Sequence, residues 1–472
     1  MKGVKFLRRC ITLLLSGIFL TACGVKEETP YQWEAQELVE STQEGNQEEL
    51  KRKEEAYKGP TLANPGETDG KEIVTLGVTF RANSELLDMV NAYNKQSEDY
   101  YVQILVYERE IVSQYRTDLV MGKGTDLYEL SAMSMEQLTQ LGVLEDLSSY
   151  FAESEELQLD TLLPCVRKLG TVGEKIVGLA PEFYLLGLVT EKGIADNGAW
   201  TVEEFLDLPK KYPAARLTNY DKDPVSIILN VLEYVVEERV DWEKKTCDFH
   251  SDSFRKILER LYENSKRECV EETAANQAET LFKHERMVLN VTIGDPWAYA
   301  EVKEAFGDFG EVVGYPSEEG KPVYRLYANH IFGINSASGV KDGAWDFLEY
   351  WLSEEIQYAT WSFPARSDVF ENMISQDVSP RYTEKGYTEE YFSRVNYYTG
   401  EKMKKWLRIN DEDRTKLREM LEHAEFANVM HQSFLQGVLF EELQAYFAGD
   451  KSVKAVMDII QNRISLYLME SE

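Results

Sequence analysis

The chain is short of the residues that build cross-linked or catalytic proteins. Cysteine occurs five times in 472 residues and never as Cys-X-X-Cys, which argues against a disulfide framework or a thiolate zinc site. Beyond position 23 only Cys165, Cys247 and Cys269 remain. Cys165 lies in an apolar stretch and reads as core, and the spacing leaves a Cys247–Cys269 bridge open. The five histidines, at 250, 284, 330, 423 and 431, show no metal-ligand spacing. There is no Gly-X-Ser-X-Gly elbow and no His-Glu-X-X-His helix. Gly122-Lys123-Gly124-Thr125 lacks the upstream glycine of a phosphate loop, with Thr117 near that place. Asn219, Asp221 and Asp223 alternate like the start of a calcium loop, but Pro224 replaces the turn glycine. No catalytic residue, metal or cofactor is therefore expected. Positive charge is also scarce: 51 Lys and Arg stand against 83 Asp and Glu, a net charge of −32. Such a surface repels nucleic acid and anionic lipid headgroups. Past the first 22 residues no run of about 20 apolar residues occurs, so no transmembrane span is expected there.

What is present begins at the N-terminus. Lys2, Lys5, Arg8 and Arg9 form a basic segment, followed by an apolar stretch from Cys10 to Leu20 that is too short for a mature span. Leu20-Thr21-Ala22-Cys23 closes it. This resembles the lipobox of bacterial lipoproteins, which implies cleavage before Cys23 and lipid on that cysteine, holding the protein at the outer face of the cell membrane. Two acyl chains give stable anchoring where one is marginal. Residues 1–22 are thus read as a signal peptide. Residues 23–71, rich in Glu, Gln, Lys, Thr and Gly, are read as an acidic tether.

Globular patterning follows. Val74, Leu76, Val78 and Phe80 alternate as in a strand, Leu86, Leu87, Val90 and Tyr93 recur at helical spacing, and Val102, Ile104 and Val106 alternate again. Ile111, Tyr115 and Leu119 suggest a second helix, and Leu127–Leu130 a short strand. Strand–helix–strand–helix–strand predicts a parallel sheet wrapped by helices. A strand is predicted at Tyr184–Thr190, and Thr201 with Glu204 fits a helix capping box. Val288–Val291 and Ile331–Ile334 read as strands. The C-terminal third reads as helical, with Val456, Ile460 and Ile464 on one face. Aromatic residues make up 12% of the chain. That fits a large core, or a groove whose ring faces meet the C–H faces of sugars.

Several phrases occur together: Gly122-Lys123-Gly124-Thr125-Asp126-Leu127, Leu141-Gly142-Val143-Leu144-Glu145-Asp146-Leu147, Trp200-Thr201-Val202-Glu203-Glu204-Phe205 and Gly314-Tyr315-Pro316. Gly333-Ile334-Asn335, Ala344-Trp345-Asp346-Phe347-Leu348, Gln357, Phe363-Pro364-Ala365-Arg366 and Phe447-Ala448-Gly449-Asp450-Lys451-Ser452-Val453 follow. In this order, over about residues 72–472, they resemble bacterial extracellular solute-binding proteins of the type that serves carbohydrate ABC importers. The resemblance departs at Thr125, where the family often has proline, and in the length of the tether. It implies an α/β, two-lobed periplasmic-binding-protein-like (type II) fold, with a hinge and an interlobe ligand cleft. On that expectation residues 72–180 and 331–372 form the N-terminal lobe, and 181–330 and 373–472 the C-terminal lobe.

The same resemblance implies a binding protein, not an enzyme: a monomer that captures a small solute, a sugar or oligosaccharide in this family, and passes it to ABC permease subunits. Two other readings stay open. One is a ligand sensor feeding a membrane histidine kinase. The other is a surface glycoside-processing enzyme, although no acidic pair in so acidic a chain can be singled out. Candidate ligand residues are Trp297 as an aromatic platform, with Asp295 beside it either accepting from hydroxyls or capping the helix. Arg81 lies at the carboxyl end of the first strand, where open α/β sheets bind ligands. Asp126 follows the glycine turn, Tyr184 lies near the first lobe crossing, Asn329 and His330 lie at another, and Trp361 and Arg366 flank a later one. Trp200 and Trp345 are read as core.

Overall fold

The computed structural model describes residues 60–470 apart from 80–81, 108–114, 116, 120, 122–123, 132, 196–197, 221–222, 243, 361, 377–394, 403–408 and 427–428. Cys23, Arg81 and Trp361, with most of the expected tether, lie outside the described residues. In chain order the strands of the two large sheets are β1 (Thr61–Leu62), β2 (Glu72–Thr79), β3 (Tyr100–Tyr107), β4 (Leu127–Glu129), β5 (Glu182–Glu191), β6 (Val288–Ile293), β7 (Gly310–Val313), β8 (Tyr324–Ala328), β9 (Phe332–Ile334), β10 (Phe363–Pro364) and β11 (Ala424–Phe426). The helices used below are α1 (Ser84–Gln96), α2 (Val202–Lys211), α3 (Glu233–Glu237), α4 (Pro296–Phe306), α5 (Lys341–Trp351), α6 (Val429–Ala448) and α7 (Val453–Glu470).

The first sheet has the order β1-β3-β2-β4-β9. Its middle, β3-β2-β4, is parallel, while β1 and β9 join antiparallel at the edges. Val74, Leu76 and Val78 alternate into the core, as their spacing requires. Asn83 caps α1 by accepting from the Leu86 N–H, and Leu86, Val90 and Tyr93 bury one face of that helix. Gly77 belongs in β2 because a Cβ there would stand 2.6 Å from both Thr125 Oγ1 and Tyr115 Oη. The ordered fold starts before residue 71. Thr61 and Leu62 pair with Val106 and Leu105, and the Asn64 side chain bonds Val102 O at 2.9 Å and Ile104 N at 2.7 Å. Side-chain amide bonds complete an edge that two residues of strand could not hold alone.

The second sheet is organised around β5, in the order β6-β5-β8-β11. β6, β7, β8 and β10 all run antiparallel to β5, and β11 runs parallel to β8. Residues 331–372, expected wholly in the first lobe, are shared: β9 closes the first sheet, but β10 pairs with Phe183 and Glu182 of the second. The predicted capping box at Thr201 and Glu204 opens α2. Trp200 lies in the core with Nε1 donating to Gly314 O at 2.9 Å, and Trp345 is also buried. Val456, Ile460 and Ile464 bury one face of α7 in a core shared with Leu439 and Leu443 of α6. Cys247 and Cys269 are free thiols. Cys247 Sγ lies 3.3 Å from Ser465 Oγ, and Cys269 faces Ala215 O, so the bridge left open by spacing does not form. Asp223 spends its carboxylate on capping the helix that starts at Pro224, not on a calcium loop. Among the described residues no helix is long and apolar enough to cross a membrane.

Candidate ligand-binding site

The chain passes between the two sheets at three places that lie side by side. The Pro181 carbonyl, just before β5, accepts from Ala365 N at 3.1 Å and from Gln357 Nε2 at 3.0 Å. Ile331 O, between β8 and β9, accepts from Leu130 N at 2.6 Å, and Phe332 N donates to Leu179 O at 2.8 Å. Backbone pairing therefore ties the crossings to one another, and it brings polar side chains from four distant segments together.

Glu182 is the centre of that cluster and is only 3% exposed. Trp351 Nε1 donates to one of its oxygens at 3.2 Å, and Ser362 Oγ donates to the other at 2.7 Å. Glu85, in the first turn of α1, lies within electrostatic reach of it; burial first, and the Glu182 carboxyl second, push Glu85 up to about 8. Asn329 Nδ2 donates to Glu85 Oε2 at 3.4 Å. Tyr184 meets the side chains of Asn329 and Ser362, and burial pushes its phenol up to about 12. Asn83 Oδ1 is fixed by the Leu86 N–H, so its Nδ2 must be the atom 3.1 Å from His330 Nε2. That makes Nε2 the acceptor and places the ring proton on Nδ1, which faces Glu129 Oε1 at 3.7 Å.

Next to this floor, one face of the second sheet is left partly uncovered. Side chains alternate along each strand, and Tyr184, Leu186, Asn290, Thr292 and Tyr327 fall on the same face. Tyr327 stands opposite Tyr184, and Thr292 opposite Leu186. Farther along, that face is sealed by Leu188, Val288 and Val313. At the crossing end Tyr184, Leu186 and Tyr327 are half-buried and Thr292 is exposed. Tyr220 flanks this end: its hydroxyl meets the Asn290 amide and lies within electrostatic reach of the Tyr397 hydroxyl. Tyr397 is 51% exposed. Asn290 Oδ1 is buried without a hydrogen-bond partner among the described residues. Partly exposed tyrosine side chains beside amide and hydroxyl groups match the two needs of a polyol ligand, apolar ring contact and directed hydrogen bonds.

Of the residues expected from sequence, Tyr184, Asn329 and His330 meet in this cluster. Four others carry other duties in this conformation. Asp126 accepts from Thr75 N (2.8 Å), Thr75 Oγ1 (2.6 Å) and Ser338 Oγ (2.7 Å), tying β2 to the segment after β9. Asp295 caps α4 through the N–H groups of Trp297 and Ala298, the alternative weighed for it. Trp297 is 2% exposed, so its ring faces are covered, and its buried Nε1 has no hydrogen-bond partner among the described residues. Arg366 forks onto Asp368 and donates to Leu352 O, which pins the start of the helix Ser367–Ser375. Sequence reasoning missed Glu85 and Glu182, Tyr220, Asn290, Thr292, Tyr327 and Tyr397. For the strand residues, the alternation was the available signal.

Residues 88–382 match the family model described as bacterial extracellular solute-binding protein. No curated protein matches the sequence significantly. Solved structures do match in fold. One is the substrate-binding protein Lmo0181 of Listeria monocytogenes in complex with cycloalternan, at 16% identity and a TM-score of 0.54, covering 84% of this chain and 99% of that one. Another is the sugar-binding protein MalE of Xanthomonas citri, at 14% identity and 0.56, covering 84% and 98%. A third is a solute-binding protein of Agrobacterium radiobacter K84 with ribitol, at 15% identity and 0.53, covering 85% and 100%. With its family model spanning more than half of its length and a two-sheet fold to match, the chain belongs to the bacterial extracellular solute-binding proteins.

Proposed function

We propose that the protein is a lipid-anchored monomeric receptor that captures a sugar or oligosaccharide between its lobes and hands it to the permease of an ABC importer. The observation that carries the ligand class is the partly uncovered tyrosine, threonine and asparagine face at the crossing end of the second sheet. The solved neighbours in complex with cycloalternan and ribitol support the same class. Binding without catalysis is supported by the family.

A thermal-shift panel of mono- and oligosaccharides, sugar alcohols, amino acids and short peptides tests the ligand class. A saccharide at 100 times its Kd is expected to stabilise the fold by about 2.7 kcal/mol. Stabilisation by a peptide or amino acid, with every saccharide inert, would overturn it. The family works outside the cytoplasm; the finer reading places the protein on the membrane through Cys23. Expressed with its own leader, the chain is expected in the membrane fraction, and Cys23→Ser is expected to remove it from there. A Cys23→Ser chain that still fractionates with membranes would sink the anchor.

A further inference from the structure

We propose that Asn396 and Glu301 are positioning residues for ligand binding: they hold the turn 395–402 so that the Tyr397 ring stands preset beside the strand face. This rests on the reading of that face as the saccharide site. The turn is fixed from inside. Asn396 is only 3% exposed, although its neighbours Val395 and Tyr397 are about half exposed. Its Oδ1 accepts from Tyr398 N at 2.9 Å and from Thr399 N at 3.1 Å, and its Nδ2 donates to Glu301 O of α4 at 3.2 Å. Glu301, itself buried, adds a second tie, with Oε1 accepting from Tyr397 N at 3.2 Å. Main-chain bonds close the loop around these side chains. Asn396 N donates to Glu401 O at 2.8 Å, Gly400 N donates to Asn396 O at 2.9 Å, and Val395 pairs antiparallel with Lys402.

The two tyrosines of the turn have different duties. Tyr398 is buried against Phe306 of α4, with ring centroids 5.3 Å apart, and its carbonyl accepts from Ala278 N at 3.0 Å. Its hydroxyl lies near the Thr292 backbone of β6, which seats the turn beside the uncovered strand face. Tyr397 stays half exposed, and its ring meets Tyr398 edge to face at 5.2 Å. An aromatic side chain on an unrestrained loop loses backbone and rotamer freedom when a ligand orders it, and that loss subtracts from affinity. Here the backbone N–H groups of Tyr397, Tyr398 and Thr399 are all held by Glu301 or Asn396. The ring is therefore in place before the saccharide arrives. Neither positioning residue has to touch the ligand. Both act through Tyr397, so their effect on affinity disappears when that ring is removed.

A double-mutant cycle tests this, read by titration calorimetry with the saccharide that gives the largest thermal shift in the panel. Asn396→Ala is expected to weaken binding about tenfold in the parent chain, and by less than about twofold in the Tyr397→Ala background. Glu301→Gln keeps an acceptor for Tyr397 N, and is expected to retain most of the affinity that Glu301→Ala loses. Any general loss of stability is common to both backgrounds and cancels in the cycle. Two outcomes overturn the positioning role and leave the ligand face standing, provided Tyr397→Ala itself binds weakly. One is an equal loss from Asn396→Ala in both backgrounds, and the other is no loss from it in the parent chain. If Tyr397→Ala binds as tightly as the parent, or no saccharide binds, the ligand face falls and the positioning role falls with it.

Discussion

Arg325→Met is expected to destabilise the chain by about 3–5 kcal/mol, read as a fall in the urea midpoint. Arg325 is 5% exposed, on β8, and forks onto Glu237 of α3 at 2.8 and 3.0 Å. Glu233, one turn earlier on α3, lies 3.5 Å from it and accepts from Gln436 Nε2 of α6 at 3.0 Å. A single cation thus compensates two carboxylates that are mostly shielded from water. Burial pushes Glu233 up to about 7, and Arg325 is the main force holding it down. Methionine restores the stem's packing but leaves both acids unpaired, and an uncompensated buried charge costs far more than the pair contributes when intact. Two checks separate this cause from simple misfit. Glu237→Gln in the Arg325→Met background is expected to recover part of the loss. The variant's deficit is also expected to shrink toward acid pH, as Glu233 protonates. A midpoint shift worth less than about 1 kcal/mol, the range of an exposed ion pair, would refute the assignment.

Tyr397→Ala is expected to weaken saccharide binding by about thirtyfold, the equivalent of a truncated aromatic anchor worth ~2 kcal/mol. Because Tyr397 is half exposed, it contributes little to the core, and the thermal midpoint of the free chain is expected to move by less than about 2 °C. Its neighbour provides the contrast. Tyr220 is held by Asn219 and Asn290 and is mostly buried, so Tyr220→Ala is expected to lower both stability and affinity. Tyr220→Phe removes only the hydroxyl and is expected to cost about 1 kcal/mol of binding, through the Asn290 contact it breaks. Titration calorimetry with the best saccharide from the panel gives the affinities. Unchanged affinity in Tyr397→Ala would move the ligand off this face.

The lobes' main elements were legible because they obey local rules. Alternation found β2 and β3, helical spacing found α1, and the capping box found α2. The apolar runs at Val288 and Ile331 are β6 and β9. β1 escaped because two residues carry no period. It exists through Asn64, whose amide reaches a strand about forty positions away. The crossing residues Tyr184, Asn329 and His330 were reached through the lobe crossings that the family resemblance implied. Glu85 and Glu182 were not: an acid reads as surface until three separate crossings close over it. Trp297 shows the converse limit. It follows a strand and opens a helix as expected, yet a residue in a first helical turn can face either the cleft or the core, and packing against α4's neighbours turned it inward.

The central place of β5 has a consequence for how the chain acquires its shape. Its partners arrive from residue 288 to residue 364, and the first sheet waits for β9, whose Ile334 pairs with Leu127. Neither sheet can close until most of the chain is available, so the contact order is high and the transition state must organise distant segments. A nascent chain stopped before β9 has an open edge on each sheet and no finished lobe. Such a chain is expected to stay unfolded while it is made, and to collapse cooperatively only after its last third emerges.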